Sequence, residues 1–421
     1  MNPQKFLNSL FEIAVAKAQP VECIPPYLSK LDFTERTVVF GAGKASAAMA
    51  QTVERNTSAN LEGLVITRYG HAVECQQIKI VEAGHPIPDR EGMRATESIL
   101  KTASRLTEKD SVLCLISGGG SSLLSLPAKG LSLEDKKGVT SKLLKCGATI
   151  HEINCVRKHL SAIKGGRLAV ACSPANLLTL TISDVPGDDL SIIASGPTVP
   201  DPSTFRDALK ILAKYNISEP NSVLKYLKNA DDETPKPGDS RLQNVENYLI
   251  ATPKQSLHAA SQAVIEAGIK PLILGDNLEG ESRDVGKIHA EKAIQIQKYG
   301  NPISPPVVIL SGGETSVTVK GSGRGGPNTE FTLSLLQELR GQDGVWAIAC
   351  DTDGIDGTED NAGAFISPES FKKSQKLGLD PSDYISNNDS YSFFHKLGGL
   401  VSTGPTMTNV NDFRALLVLP Q

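Results

Sequence analysis

The chain has 421 residues, enough for two to three domains at roughly 150 residues each, and its 39% hydrophobic and 21% charged residues are those of an ordinary globular protein rather than a disordered one. A formal net charge of −4 and only 5% aromatic residues argue against a nucleic-acid or anionic-membrane partner, since those surfaces demand clustered cations and stacking rings; a local basic pocket for a small anion stays open. The seven cysteines are scattered, odd in number and never spaced Cys-x-x-Cys, as expected of free thiols in a reducing compartment. Residues 1–20 include Glu12 and lack a long apolar core, so no signal peptide is read there. No apolar run approaches a membrane span, and the cytoplasm is the expected location.

In chain order, the β-branched run at residues 37–40 passes through Gly41 and Gly43 into a helical stretch at 44–53. Further strands are expected at 64–67 and 78–81, then a helix at 89–100 with Asp89 near its N-cap. Residues 112–116 form an uninterrupted apolar strand that ends in Ser117-Gly118-Gly119-Gly120-Ser121-Ser122, and 177–182 form another. Runs apolar on both faces are what buried parallel strands require. The polar, proline- and glycine-rich segment 231–240 reads as a linker. A second strand–helix series follows: 248–250 and a helix at 254–267, 271–274 and a helix at 281–298, 307–310 into Ser311-Gly312-Gly313, and 345–349 into Cys350-Asp351-Thr352-Asp353-Gly354. This alternation predicts an α/β protein with domains at 1–240 and 241–421. An apolar strand followed by Ser-Gly-Gly occurs twice, at Ser117 and Ser311; two similar sites facing each other, or coincidence, would explain it equally.

Three glycine turns at predicted strand ends, Gly41/Gly43, Gly118/Gly119/Gly120 with Ser121 and Ser122, and Gly312/Gly313, are candidates for backbone phosphate binding. Any one alone would be a plain tight turn. Lys44 opens a helix whose N-terminal end already carries partial positive charge, an arrangement that an anionic ligand would relieve; the bland alternative is a solvated surface lysine. A dinucleotide site is weakened by Ser46 in place of the third glycine and by Thr67-Arg68 where an acidic residue belongs, although Arg68 suits a 2′-phosphate. A strict phosphate-binding loop, G-x-x-x-x-G-K-[ST], is absent. The glycine-dense stretch 320–328 carries Arg324, a candidate clamp on a phosphoryl or carboxylate group. Acidic residues at strand ends, Asp184, Asp189, Glu314, Asp351 and Asp353, are candidate Mg²⁺ ligands or bases, whereas Asp188 and Asp356 read as turn caps. His85, His151 and His159 are isolated, so no zinc site is expected, and no Gly-x-Ser-x-Gly elbow supports a hydrolase. The basic stretch 151–167, with Arg157, Lys158, His159, Lys164 and Arg167, is equally a solvated helix and a wall of an anion cleft.

Residues Phe40-Gly-Ala-Gly-Lys-Ala45, Gly84-His-Pro-Ile-Pro-Asp89, Ile116-Ser-Gly-Gly-Gly-Ser-Ser122, Lys158-His-Leu-Ser-Ala-Ile-Lys-Gly-Gly-Arg167 and Ser183-Asp-Val-Pro-Gly-Asp-Asp189 resemble the N-terminal domain of the glycerate 2-kinases. Ser311-Gly-Gly-Glu-Thr315, Gly323-Arg-Gly-Gly-Pro-Asn328 and Asp351-Thr-Asp-Gly-Ile-Asp-Gly357 resemble that family's C-terminal MOFRL-type domain. The resemblance covers nearly the whole chain in the expected order. It implies a larger Rossmann-like three-layer α/β/α domain and a smaller α/β domain with a cleft between them, and a kinase that converts D-glycerate and ATP, with Mg²⁺, to 2-phosphoglycerate and ADP. It further implies Lys44 and Arg324 as the catalytic pair. Asp189 is expected beside them as base, with Asp189, Glu314 and Asp353, and less firmly Asp184 and Asp351, as metal ligands. The partner is then the small-molecule substrate, and the protein a monomer or homodimer. Two rival readings stand beside it: an NAD(P)H-dependent hydroxypyruvate reductase, a name some relatives in this family carry, and a non-catalytic nucleotide or sugar-acid binding protein.

Overall fold

The computed structural model describes residues 1–33, 36–229 and 232–421. It divides into two compact units, one made of residues 20–250 and the other of residues 1–19 and 251–421. The expected boundary at 240/241 therefore falls ten residues later by number, and the first 19 residues join the second unit. The expected linker at 231–240 lies within the first unit, except for Asp231, which is outside the described residues. Its visible part ends in a short 3-10 turn, Ser240–Leu242.

The first unit is built on a six-stranded sheet of β1 (Thr37–Ala42), β2 (Leu61–Arg68), β3 (Lys79–Ala83), β4 (Ser111–Ile116), β5 (Asn176–Ile182) and β6 (Val245–Ala251). Their order is β3-β2-β1-β4-β5-β6. β1 pairs in parallel with both β2 and β4, and β3 and β5 extend the parallel array on either side. All residues of β1 and β4 are buried, which is why these strands read as unbroken apolar runs instead of alternating ones. A side cluster of helices, Leu133–Lys145, Ile150–His159, Phe205–Lys214 and Asn221–Asn229, has its own apolar core around Leu143, Val156, Leu160, Phe205 and Leu212.

The second unit holds a mixed sheet of β7 (Lys270–Gly275), β8 (Val307–Gly313), β9 (Val345–Asp351), β10 (Gly363–Ile366), β11 (Leu400–Val401) and β12 (Asp412–Val418), in the order β11-β10-β9-β12-β8-β7. β7 and β8 are parallel, while β12 runs antiparallel between β8 and β9. Alternate residues serve opposite faces, as the pleat requires. Val307 and Ile309 face the helices Ser282–Tyr299 and Pro327–Leu339, and Val308 and Leu310 face Pro3–Lys17 and Pro253–Glu266. The N-terminal helix belongs here because Leu7, Leu10, Phe11, Ala14 and Val15 form a stripe at helical spacing that is buried against Leu257, Val264, Ile348 and Phe413. Its amphipathicity is plain in the sequence, but nothing local says which of two sheets it covers.

Candidate active site

β1 and β4 are adjacent, and the chain leaves them in opposite directions along the sheet, so the loops after their carboxyl ends open at the topological switch point, where ligands of open α/β sheets bind. The two loops are stitched together. Gly43 N–H donates to Ile66 O (3.1 Å), Lys44 N–H to Gly118 O (2.8 Å) and Ser46 N–H to Gly43 O (3.3 Å), and Ala45 N–H donates to Ser117 Oγ (3.0 Å). Every amide from Gly43 to Ser46 is thus committed internally. Gly41 and Gly43 are needed for close packing instead: a methyl on Gly41 would lie 2.5 Å from Leu115 O, and one on Gly43, at φ +147°, would overlap Ser117. This corrects the expectation that these two glycines cradle phosphate. What the turn presents is the side chain of Lys44. Gly43→Ala should accordingly cost at least ~2 kcal/mol from overlap and backbone strain. Gly138→Ala, on a helix with nothing near the new methyl, should gain up to ~1 kcal/mol. Urea midpoints of the two variants that coincide would show the packing argument to be mistaken.

The second loop is different. Gly120 N–H donates to Ser117 O and Ser122 N–H to Gly119 O, but among the described residues no backbone bond is made by the N–H of Gly118, Gly119 or Ser121. Gly119 sits at φ +81°, and a methyl there would lie 2.8 Å from the His85 ring and 3.5 Å from Lys44 Cγ. The Asp184 carboxylate, two residues past the end of β5, lies directly against Gly118 and leaves no room for a side chain. Lys44, His85, Asp184 and the three amides that make no backbone bond among the described residues therefore converge on one loop. Asp189 does not join them: it is exposed, and its carboxylate accepts the Ser191 N–H (2.8 Å), capping its own turn.

Beside this loop opens a cavity of about 570 Å³ whose walls include His85, Gly119, Ser121, Lys136, Arg157 and Lys164. Lys136 is 7% and Lys164 1% exposed. Lys164 Nζ donates to Ser121 O (2.7 Å), Ser121 Oγ (3.2 Å) and Ala194 O (3.3 Å). Burial, aided by Lys136 and Arg157, holds the Lys164 ammonium well below the usual lysine range; burial, aided by Arg157, brings Lys136 down to about 7. Ala194 and Ser195 both adopt left-handed backbone conformations, a strain of the kind kept at working sites, and Ser195 Oγ lies 2.8 Å from Ser121 Oγ. The basic stretch 151–167 divides accordingly. Lys158 pairs with Asp201, His159 with Glu233 and Arg167 with Asp232, so these three hold the fold, while Arg157 and Lys164 face the cavity.

The folded pKa of Lys136 lies below its unfolded value, so the unfolded chain binds the extra proton between about pH 7 and the usual lysine range, and stability rises with pH through that window. Lys136→Met should remove this term. Its melting temperature at pH 7 is expected to equal or exceed that of the parent, with the gap narrowing toward pH 9. A gap that widens with pH would contradict the burial argument.

In the second unit, the carboxyl ends of β8 and β9 flank the start of β12, with Asp412 in register with both Gly313 and Asp351. Gly312 and Gly313 are buried ladder residues, and Leu278 packs its backbone across Gly313, so these glycines also serve packing. Glu314 is exposed beyond them. Asp353 is buried, and its carboxylate accepts the Ile355 N–H (2.9 Å). Asp356 accepts from Asn328 N–H, Thr329 N–H and the Thr329 hydroxyl, a cap as expected, with burial pushing it up to about 6. The loop bearing Arg324 is pinned: Lys320 and Gly321 donate to Asn388 Oδ1, Ser322 to Asn387 Oδ1 and Arg324 N–H to Asp389 Oδ1. The exposed Arg324 guanidinium pairs with Glu359 and stacks over Tyr391 at 4.4 Å. Among the described residues no three His, Cys, Asp or Glu side chains converge as metal ligands.

Comparison with known proteins now decides the family. Residues 6–228 match a family model described as a domain of unknown function, DUF4147, and residues 307–412 match the MOFRL family. The chain is 42% identical to a D-glycerate 2-kinase of Thermotoga maritima over 97% of each chain. It superposes on a crystal structure of glycerate kinase from that organism with a TM-score of 0.90, at 40% identity and over 99% of each chain. A protein of Agrobacterium vitis provisionally named hydroxypyruvate reductase is 50% identical over 99% of this chain and 95% of its own.

This chain belongs to the glycerate 2-kinase family.

Lys44 and the loop at 118–122, both candidates from the sequence, lie side by side in the structure. The sequence reading misses His85, Lys136 and Lys164 as neighbours of that loop, because their approach is decided by the crossing of distant segments. The only local signal was the Lys158–Arg167 motif, which mixes structural and cavity-facing cations.

Proposed function

We propose that this protein transfers the γ-phosphoryl group of ATP to the 2-hydroxyl of D-glycerate, giving 2-phosphoglycerate and ADP. The observation that carries the reading is that a chain similar over its whole length to D-glycerate 2-kinases gathers Lys44, His85, Asp184 and the amides of Gly118, Gly119 and Ser121 at one sheet switch point. In this reading the loop amides hold phosphate oxygens, and the Lys44 ammonium offsets charge on the transferring phosphoryl, the kind of preorganised electrostatics that dominates such catalysis. Arg324 is assigned the second positive charge. Asp184, half-buried against the loop, takes the place first given to Asp189. It fits Mg²⁺, which is held by one or two carboxylates with phosphate oxygens and water; when bound, the ion would supply charge neutralisation on the phosphates. Glu314, Asp353 and Asp351 of the second unit remain candidate ligands or bases, directly or through water, with one Asp353 oxygen also accepting the Ile355 N–H.

The hydroxypyruvate reductase name borne by a relative supports a second reading, and the strand order of the first sheet is that of dinucleotide-binding folds. Dinucleotide binding, however, needs free amides in the turn after β1, and from Gly43 to Ser46 they are committed. Among the described residues no helix is long and apolar enough to cross a membrane, and none of the seven cysteines is in a disulfide; a cytoplasmic place of action accords with thiols of that kind. The test incubates the protein with ATP, Mg²⁺ and D-glycerate and follows conversion of the product by enolase, which accepts 2-phosphoglycerate. Sustained NADH or NADPH oxidation with hydroxypyruvate, and no ATP-dependent product, would reverse the assignment; binding without turnover of either kind would make it a sensor.

A further inference from the structure

The cavity beside the 118–122 loop poses a charge problem that the mechanism above does not use. Lys136, Arg157 and Lys164 meet there with Lys137, and among the described residues no acidic side chain lines the wall. Lys137 is offset by Glu134 at 3.2 Å. Among the described residues the others have no such carboxylate partner. The polar contacts of Lys164 and Lys136 are neutral oxygens, those of Ser121 and Ala194 for the first and Leu126 O at 3.5 Å for the second. Grouping these side chains in a buried wall without a counter-ion disfavours their charged forms, and an anion bound in the cavity would restore and pair those charges. A three-carbon monoanion offsets one of them, whereas a polyphosphate offsets all. The volume points the same way: about 570 Å³ lies within the range of pockets that enclose drug-sized ligands and far exceeds what a three-carbon acid fills. The mouth is apolar, formed by Pro86, Ile87, Pro88 and Leu144. Ile87 is 70% and Leu144 58% exposed, so two of the chain's exposed large hydrophobic side chains flank one opening, which marks a place meant to be covered.

We propose that this cavity is the nucleoside triphosphate site, with the phosphate chain on Lys136, Arg157 and Lys164 and its end at Gly119 beside Lys44, and the base against the Pro86, Ile87 and Leu144 mouth. The proposal rests on the kinase reading for the direction of the chain, and it assigns the acid substrate elsewhere on the 118–122 loop.

Its test is nucleotide titration by calorimetry of the full chain and of Lys136→Met, Arg157→Met and Leu144→Asp, with D-glycerate KM measured at saturating ATP. Each cation variant is expected to weaken ATP about tenfold or more, as the loss of a charge-assisted contact implies, and AMP much less, with glycerate KM within about twofold of the parent. Leu144→Asp should weaken ATP but not inorganic triphosphate. The expected stability of Lys136→Met at pH 7 separates lost binding from lost fold, and Arg157→Met gives the same reading independently. Unchanged ATP affinity with a raised glycerate KM would give the cavity to the acid and overturn the proposal; no change in either would make the cations structural and overturn it too. A parent protein that binds ATP here but phosphorylates no glycerate would sink the kinase reading and leave the site standing.

Discussion

Lys44→Met is expected to lower kcat for ATP-dependent phosphorylation of D-glycerate by about 10³-fold with little change in melting temperature. The ammonium is the one group the β1 turn presents, since the turn's amides are committed to Ile66, Gly118 and Ser117. Methionine keeps an unbranched stem where Lys44 Cγ passes Gly119 and removes only the charge. Losing one preorganised group on developing charge costs about 10²–10³ in rate, and phosphoryl transfer, where the protein's contribution is almost all positioning and electrostatics, lies at the upper end or beyond. If the lysine acts on the transferring group, the loss appears in kcat; if it only binds nucleotide, it appears in KM for ATP with kcat kept. A folded Lys44→Met protein with near-parental kcat would end the assignment.

Arg324→Lys is expected to lose nearly as much as Arg324→Ala, about 10³-fold or more in kcat, on the scale of arginine side chains that stabilise phosphoryl-transfer charge. The guanidinium is held by geometry, paired with Glu359 and flat over Tyr391, whose hydroxyl donates to Asp360 Oδ1 (2.7 Å). A lysine ammonium reproduces neither the planar fork nor the stacking. Steady-state kinetics of both variants at saturating ATP and glycerate check this. Full rescue by lysine would show that charge alone matters. A parental rate in both would remove Arg324 from the mechanism and leave the pinned loop a structural one.

Much of the site was legible because its residues are neighbours in sequence. Gly43 and Lys44 adjoin, as do Gly118, Gly119, Ser121 and Ser122, and both runs follow strands whose burial on two faces shows as unbroken apolar sequence. The helical stripe of Leu7, Leu10, Phe11, Ala14 and Val15 was equally readable as a packing face. What glycine was doing at each turn was not readable. The same residue admits the Asp184 carboxylate at Gly118, makes a left-handed turn beside His85 at Gly119, and lets neighbouring segments pack closely at Gly41, Gly43 and Gly313, because the difference lies in what crosses it.

The sequence by itself determined the α/β class and marked the glycine-flanked strand ends and Lys44 as site candidates, since these depend on local periodicity and on short runs of special residues. Only the tertiary structure decided that Asp184 and not Asp189 reaches the loop, that the first 19 residues complete the second sheet's cover, and that Lys136, Arg157 and Lys164 share one cavity. Each of these is a contact between segments far apart in the chain, and its energy depends on burial and on uncompensated charge, quantities that no window of sequence contains.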